Sequence, residues 1–238
     1  MRGASARPQG YPAACDDAPV SGSEQGEREG PSNRVRVVGR ALNDVVARAP
    51  ILWPVLKYPM RRFFDRSAQG WDERTGAGSS EHLAALAAGL MHVTPAPERA
   101  LDIGTGTGAA ALLVAREFPR ARVRGIDLSE EMIASAKRKV GLDPEGRIAF
   151  KVADASSLPW PEDSFDLVVQ LNMPPFFSEI GRLLRPDGYV VVSASLGDAT
   201  PFYTPNSVLS RRFDRHGIRE HVAGAAGTGV YWVGRKEA

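Results

Sequence analysis

Three glycines at alternate positions, Gly104, Gly106 and Gly108, close the apolar run Leu101-Asp102-Ile103. Glycine adopts positive φ at little cost and has no Cβ, so the chain can turn sharply there and let a ligand approach the backbone. The flanks give the turn its context. Arg99 to Ile103 reads as a strand; Ala109 to Phe118, rich in Ala and Leu and stopped by Pro119, reads as a helix whose first N–H groups face outward. A strand, a glycine turn and a helix in this order form a cradle for a nucleotide-like ligand. The pattern leaves the ligand open, because Gly104, Gly106 and Ala109 also satisfy the dinucleotide fingerprint G-x-G-x-x-G/A, and a tight turn that binds nothing has the same sequence.

The order of segments downstream narrows the choice. A second strand, Ala121 to Ile126, leads into Asp127, at the distance where a carboxylate meets ribose hydroxyls. A third strand, Arg147 to Ala153, is followed by Asp154, and a fourth, Phe165 to Val169, runs into Gln170-Leu171-Asn172. Strands alternating with helices indicate an α/β fold with a parallel sheet, and ligands of such sheets sit at the carboxyl ends of the strands.

These segments resemble those of the class I S-adenosylmethionine-dependent methyltransferases, in their small-molecule branch, over roughly residues 63 to 236. Leu101 to Gly108 is similar to the family's first motif, Gly125-Ile126-Asp127-Leu128-Ser129 to its ribose motif, and Ala153-Asp154-Ala155 to its adenine motif. Leu158-Pro159-Trp160-Pro161-Glu162-Asp163-Ser164-Phe165-Asp166 is similar to the segment leading into the fourth strand, which dinucleotide dehydrogenases lack. Glu179 to Gly188 precedes an apolar fifth strand, Tyr189 to Ser195, with Asp187 where the family usually has Gly. Upstream, Phe64 to Asp72 is similar to a segment lying over the cofactor, with Trp71 where Tyr is common.

The resemblance implies a Rossmann-like doubly wound sheet, mainly parallel, with an antiparallel C-terminal edge hairpin formed by Ile218 to Val222 and Gly229 to Lys236. It implies S-adenosylmethionine as cofactor. Gly104, Thr105 and Gly106 would receive its methionine part, Asp102 would organise the turn or meet the amine through water, and Trp71 would lie above. Asp127 with Leu128 would take the ribose, Asp154 with Ala155 the adenine, and Gln170 would approach the methionine moiety. Two bland readings stay open: Asp127 as a carboxylate at the N-terminus of the helix begun by Ser129-Glu130-Glu131, and Asp154 as an ordinary loop acid. The implied reaction is in-line methyl transfer to a small-molecule acceptor. A non-catalytic adenosylmethionine-binding protein and an NAD(P)-dependent oxidoreductase are the alternatives.

Composition removes other classes. The 238 residues, 43% of them hydrophobic, suffice for one sizeable core, and a net charge of +2 gives no nucleic-acid footprint. One cysteine, Cys15, allows no internal disulfide, and the four histidines lack metal-ligand spacing, so no metal is expected. With no long apolar run and no signal-like start, the expected location is cytoplasmic.

Residues 1–32, rich in Gly, Ser, Pro, Ala and charge, read as a disordered tail; 33–92 as a helical cap or lid; 93–238 as the catalytic domain. Val35, Val38, Leu42, Val45 and Val46 recur at helical spacing. Trp53, Tyr58, Phe63 and Phe64 mixed with Lys57, Arg61 and Arg62 also suit a membrane interface, although Pro50, Pro54 and Pro59 should interrupt a long amphipathic face. On the acceptor side, Asn172-Met173-Pro174-Pro175-Phe176 is similar to an Asn-Pro-Pro-aromatic motif interrupted by Met173, and reads more readily as the start of a helix from Pro174 to Leu184. Tyr203, in the loop before a helix from Asn206 to His216, is a candidate to bind or deprotonate the acceptor.

Overall fold

A computed structural model of the chain describes residues 37, 39–41, 43, 52–143 and 145–238. The tail at 1–32, Cys15 and the spaced residues Val35, Val38, Leu42, Val45 and Val46 therefore lie outside the described residues. Among the described residues, the helices α1 (Trp53–Ser67), α2 (Trp71–Thr75) and α3 (Ser80–Leu90) precede the sheet. The chain then alternates through β1 (Arg99–Ile103), α4 (Ala109–Glu117), β2 (Arg122–Asp127), α5 (Glu130–Lys139), β3 (Ile148–Val152) and β4 (Phe165–Leu171). It ends with α6 (Phe177–Leu183), β5 (Leu184–Ala194), α7 (Asn206–Asp214), β6 (Ile218–Ala226) and β7 (Gly229–Lys236).

The seven strands lie in the order β3-β2-β1-β4-β5-β7-β6, with β1 to β5 parallel and β7 antiparallel to both of its neighbours. The central strands are apolar on both faces, as a sheet covered by helices requires. Leu167 and Val169 of β4 join one core with Ala111, Val114, Leu86 and Leu90 from α4 and α3, while Val168 joins the other with Ile180, Leu183, Leu209, Phe213 and Trp232. An irregularity in the β4–β5 pairing between Phe165 and Leu167 accompanies the placement of Phe165 in the second core. The chain leaves β1 toward β2 and leaves β4 toward β5. The crevice between the carboxyl ends of β1 and β4 is thus the switch point where such sheets bind ligands.

Four local expectations change. The helix expected from Pro174 to Leu184 begins at Phe177. Pro175 disfavours the helical conformation at Pro174, and Phe176 adopts φ −93° and ψ 75° before the first turn. Gln170 lies within β4 rather than beyond it, and the helix expected to reach His216 ends at Asp214, before a turn through Gly217 at φ +69°. Of the prolines expected to interrupt the helical face, Pro50 lies outside the described residues, and Pro54 and Pro59 do not interrupt α1. Pro54 occupies its first turn, where no N–H is missed, and Pro59 stands on the exposed side, where water can meet the freed carbonyl of Val55.

Candidate active site

The glycine turn is built from backbone. Gly104 and Thr105 donate their N–H groups to the Ile126 carbonyl at 2.9 and 2.8 Å, which ties the end of β1 to β2. Gly104 sits at φ +74° and Gly108 at φ +89°. An added Cβ at Gly108 would lie 2.9 Å from Phe150 Cζ and 3.1 Å from Ala136 Cβ, so glycine also lets α4 pack closely against β3 and α5. At Gly106 a Cβ would meet nothing within 4 Å, and the turn is open on that side.

Asp102 stands beneath the turn, 1% exposed. Its Oδ2 accepts the Thr105 hydroxyl at 2.6 Å, and its Oδ1 has no partner. Burial pushes the carboxyl up to about 7, the Thr105 and Ala111 hydrogen bonds pull it back in part, and the nearby Asp127 adds to the rise. Between the unfolded value of 3.8 and about 7 the folded protein holds a proton that the unfolded chain has lost. Stability from this group is therefore lost as pH rises through that window. The melting temperature of the unliganded protein is expected to fall from pH 5 to pH 7.5 and to fall less steeply in Asp102→Asn. Equal slopes in the two proteins would place the charge elsewhere.

Asp127, at the end of β2, accepts Gly106 N–H on Oδ2 and Ser129 N–H on Oδ1, both at 2.9 Å. Burial raises its pKa, hydrogen bonds from the Ser129, Gly106 and Leu128 backbone counter the rise, and Asp65 adds to it. The helix cap is Ser129, whose hydroxyl accepts Met132 N–H at 3.2 Å. Asp127 thus both supports the helix start and braces the glycine turn. A carboxylate offers about four acceptor sites, so ligand hydroxyls can still be met there.

Asp154, after β3, is held by the N-terminal helix. Its Oδ1 accepts Trp53 Nε1 at 2.7 Å and the Ser156 N–H and hydroxyl, while Oδ2 pairs with Lys57 Nζ at 3.1 Å. Burial works to raise its pKa, but these donors outweigh it and hold the carboxyl below its usual range. Ala155 beside it is buried.

The same helix continues the pattern. Arg61 pairs with Glu130 at 2.7 Å, and Asp65 accepts the Ser129 hydroxyl at 2.6 Å. Trp53, Lys57, Arg61 and Asp65 are spaced four apart, which puts them on one helical face, turned toward the strand ends. From α2, Asp72 accepts the Thr107 hydroxyl of the glycine turn at 2.6 Å and pairs with Lys139. Trp71 rests edge-on against Phe64 with ring centroids 5.8 Å apart. Its neighbour Asp72, rather than its ring, makes the hydrogen bond to the turn.

On the β4 side Gln170 is fully buried. Its amide donates to the Pro174 carbonyl at 3.4 Å, and its Oε1 has no partner. Asn172, at φ +54°, ties β4 to β5 by donating to Ser195 Oγ at 2.9 Å and accepting Ser195 N–H at 2.8 Å. Met173 lies across the turn: a Cβ on Gly104 would come within 2.5 Å of its sulfur. Met173 also lines a small cavity with Val192, Phe202, Tyr203, Thr204 and Leu209. Asn43 reaches this loop from the N-terminal segment, donating to the Tyr203 carbonyl at 3.1 Å and to Thr204 Oγ1 at 2.8 Å.

Among the described residues no histidine, cysteine or carboxylate cluster suits a metal ion, and no helix is long and apolar enough to cross a membrane. The contacts that Lys57, Asp65, Asp72 and Met173 make at the strand ends are not visible in the sequence. The four-residue spacing from Trp53 to Asp65 was the signal that could have found part of this set.

A switch-point crevice with carboxylates at the carboxyl ends of β1 and β2 and just after β3 defines a nucleotide-binding α/β fold, and comparison with known proteins says which. A family profile described as a methyltransferase domain matches residues 100–188. The chain is 36% identical over 123 residues to a ubiquinone/menaquinone biosynthesis C-methyltransferase of Geobacter sulfurreducens, covering 48% of this chain and 45% of the relative. It is 30% identical over 190 residues to a fatty-acid O-methyltransferase of Mycolicibacterium smegmatis, covering 71% and 66%. A solved SAM-dependent methyltransferase of Aquifex aeolicus shares the fold, with TM-score 0.55 and 18% identity over 66% of this chain and 92% of that one. The chain belongs to the class I S-adenosylmethionine-dependent methyltransferases. It spans about half the length of the first curated relatives it matches.

Proposed function

We propose that the protein transfers a methyl group from S-adenosylmethionine to a small-molecule acceptor. The observation that carries this reading is the pair of buried oxygens without partners, Asp102 Oδ1 near the end of β1 and Gln170 Oε1 near the end of β4, the two strands that bound the switch-point crevice. A buried acceptor left unmatched is costly, so both suit a ligand that brings N–H donors and positive charge. The acceptor oxygens of Asp102, Asp127 and Asp154 at the strand ends suit a cationic ligand with hydroxyl and amino groups. Gly104, Thr105 and Gly106 would hold the methionine part with Asp102 and Gln170. Asp127 and Leu128 would hold the ribose, Asp154 and Ala155 the adenine, and Trp71 would complete the cover.

When bound, S-adenosylmethionine supplies a methyl group already activated by its sulfonium, so the protein's work is alignment and exclusion of water. Met173 stands between the turn and the small cavity. It separates donor from acceptor and bounds the path along which the acceptor approaches. The side chains lining the cavity carry no charge, which favours an uncharged acceptor group there. Asn172 shapes this wall by fixing β4 to β5, and Tyr203 offers the wall a hydroxyl. The residues 33–92 contribute α1 and α2 as a lid, and the proposed location is cytoplasmic, where a chain with one cysteine needs no disulfide.

Calorimetry with S-adenosylhomocysteine and NADH in parallel tests the reading: the first is expected to bind and the second not. Tight NADH binding would overturn it. For the lid, trypsin cleavage at Arg61, Arg62, Arg66 and Arg74 is expected to slow when S-adenosylhomocysteine is added, and cleavage indifferent to the ligand would reduce α1 to a packed helix.

A further inference from the structure

The outer face of α1 differs in kind from its inner one. Inward, Trp53, Lys57, Arg61 and Asp65 are bonded to Asp154, Glu130 and Ser129. Outward, Val55, Tyr58 and Phe63 are 72%, 63% and 58% exposed, and Leu52, just ahead of the helix, is 49% exposed. Arg62 and Arg66 are exposed among them. The one carboxylate of α1, Asp65, is turned inward to Ser129. The inner bonds therefore hold out a face of aromatic, aliphatic and basic side chains with no acid from the helix itself. Leaving this much apolar surface in water is unfavourable unless something covers it.

We propose that this face docks on an anionic lipid bilayer, with α1 lying in the headgroup plane. Arginines reach lipid phosphates while their stems run along apolar surface, and Tyr and Phe suit the boundary between headgroups and acyl chains. The charge of the face is complementary to an anionic leaflet. A single convex helix, by contrast, offers no groove in which a peptide could lie. The proposal does not depend on the methyl-transfer reading, although it would bring the edge of the strand-end crevice beside the membrane.

Vesicle flotation of the full chain is the test. The protein is expected to float with phosphatidylcholine–phosphatidylglycerol vesicles but not with phosphatidylcholine alone, and to release as salt is raised. The double variants Arg62→Glu/Arg66→Glu and Tyr58→Ser/Phe63→Ser should each lower the bound fraction about tenfold or more. In Arg62→Glu/Arg66→Glu, S-adenosylhomocysteine affinity and melting temperature should stay at wild-type values; Tyr58 and Phe63 touch Lys57 and Phe64, so the arginine pair is the control for folding and ligand binding. Absence of flotation by the wild type, or variants that float as well as it does, would overturn the proposal. A dimer in sedimentation that these variants dissociate would also overturn it, by assigning the face to a second copy of the chain.

Discussion

Asp127→Ala is expected to weaken S-adenosylhomocysteine binding by about 1.5–3 kcal/mol, the range for hydrogen bonds to a charged group. The carboxylate braces Gly106 and Ser129 through their N–H groups, and in the proposed role its remaining acceptor sites meet the ligand. The two roles are separable. Asp127→Asn keeps one oxygen for the backbone but turns the other side into a donor, so its melting temperature should recover more than its affinity does. Unchanged affinity in a folded Asp127→Ala protein would leave the side chain with only its support of α5.

Trp232→Ala is expected to lower stability by about 3–5 kcal/mol, read from denaturant unfolding. The indole is fully buried in β7 and stacks on Phe213 with centroids 5.1 Å apart and planes 11° from parallel. Its Nε1 donates to Glu220 Oε2 at 2.9 Å and to Ser210 Oγ at 3.1 Å. Removal would empty space between α7 and the antiparallel edge of the sheet, while Glu220 keeps the Ser210 hydroxyl and water as partners. A loss below about 1 kcal/mol would mean that the edge collapses to fill the cavity.

The catalytic half was legible because its signals are local. The glycines of the turn, Asp127 and Asp154 follow apolar runs, and each run became a strand with its polar residue at the carboxyl end. The N-terminal half was less legible because its meaning is long-range. Lys57 and Asp65 look like ordinary helix charges until the fold brings Asp154 and Ser129, distant in sequence, beneath them. The prolines of α1 misled for a related reason. A proline's cost depends on where its carbonyl partner stands, and that of Pro59 faces water. Met173 looked like a flaw in a motif, whereas its sulfur is what covers Gly104. Periodicity can report which face a residue shares. It cannot report what lies across from that face.

The bonds from α1 and α2 end on the residues that follow β1, β2 and β3, so ligand binding at those residues and docking of the helices share one thermodynamic cycle. Reciprocity then holds: whatever factor the ligand applies to the docking equilibrium, a stimulus that shifts docking applies to ligand affinity. With the ligand held as proposed, a surface that captures the docked helices raises ligand affinity, whereas an outer-face substitution that leaves docking unchanged does not. The helix converts events at its outer surface into occupancy within.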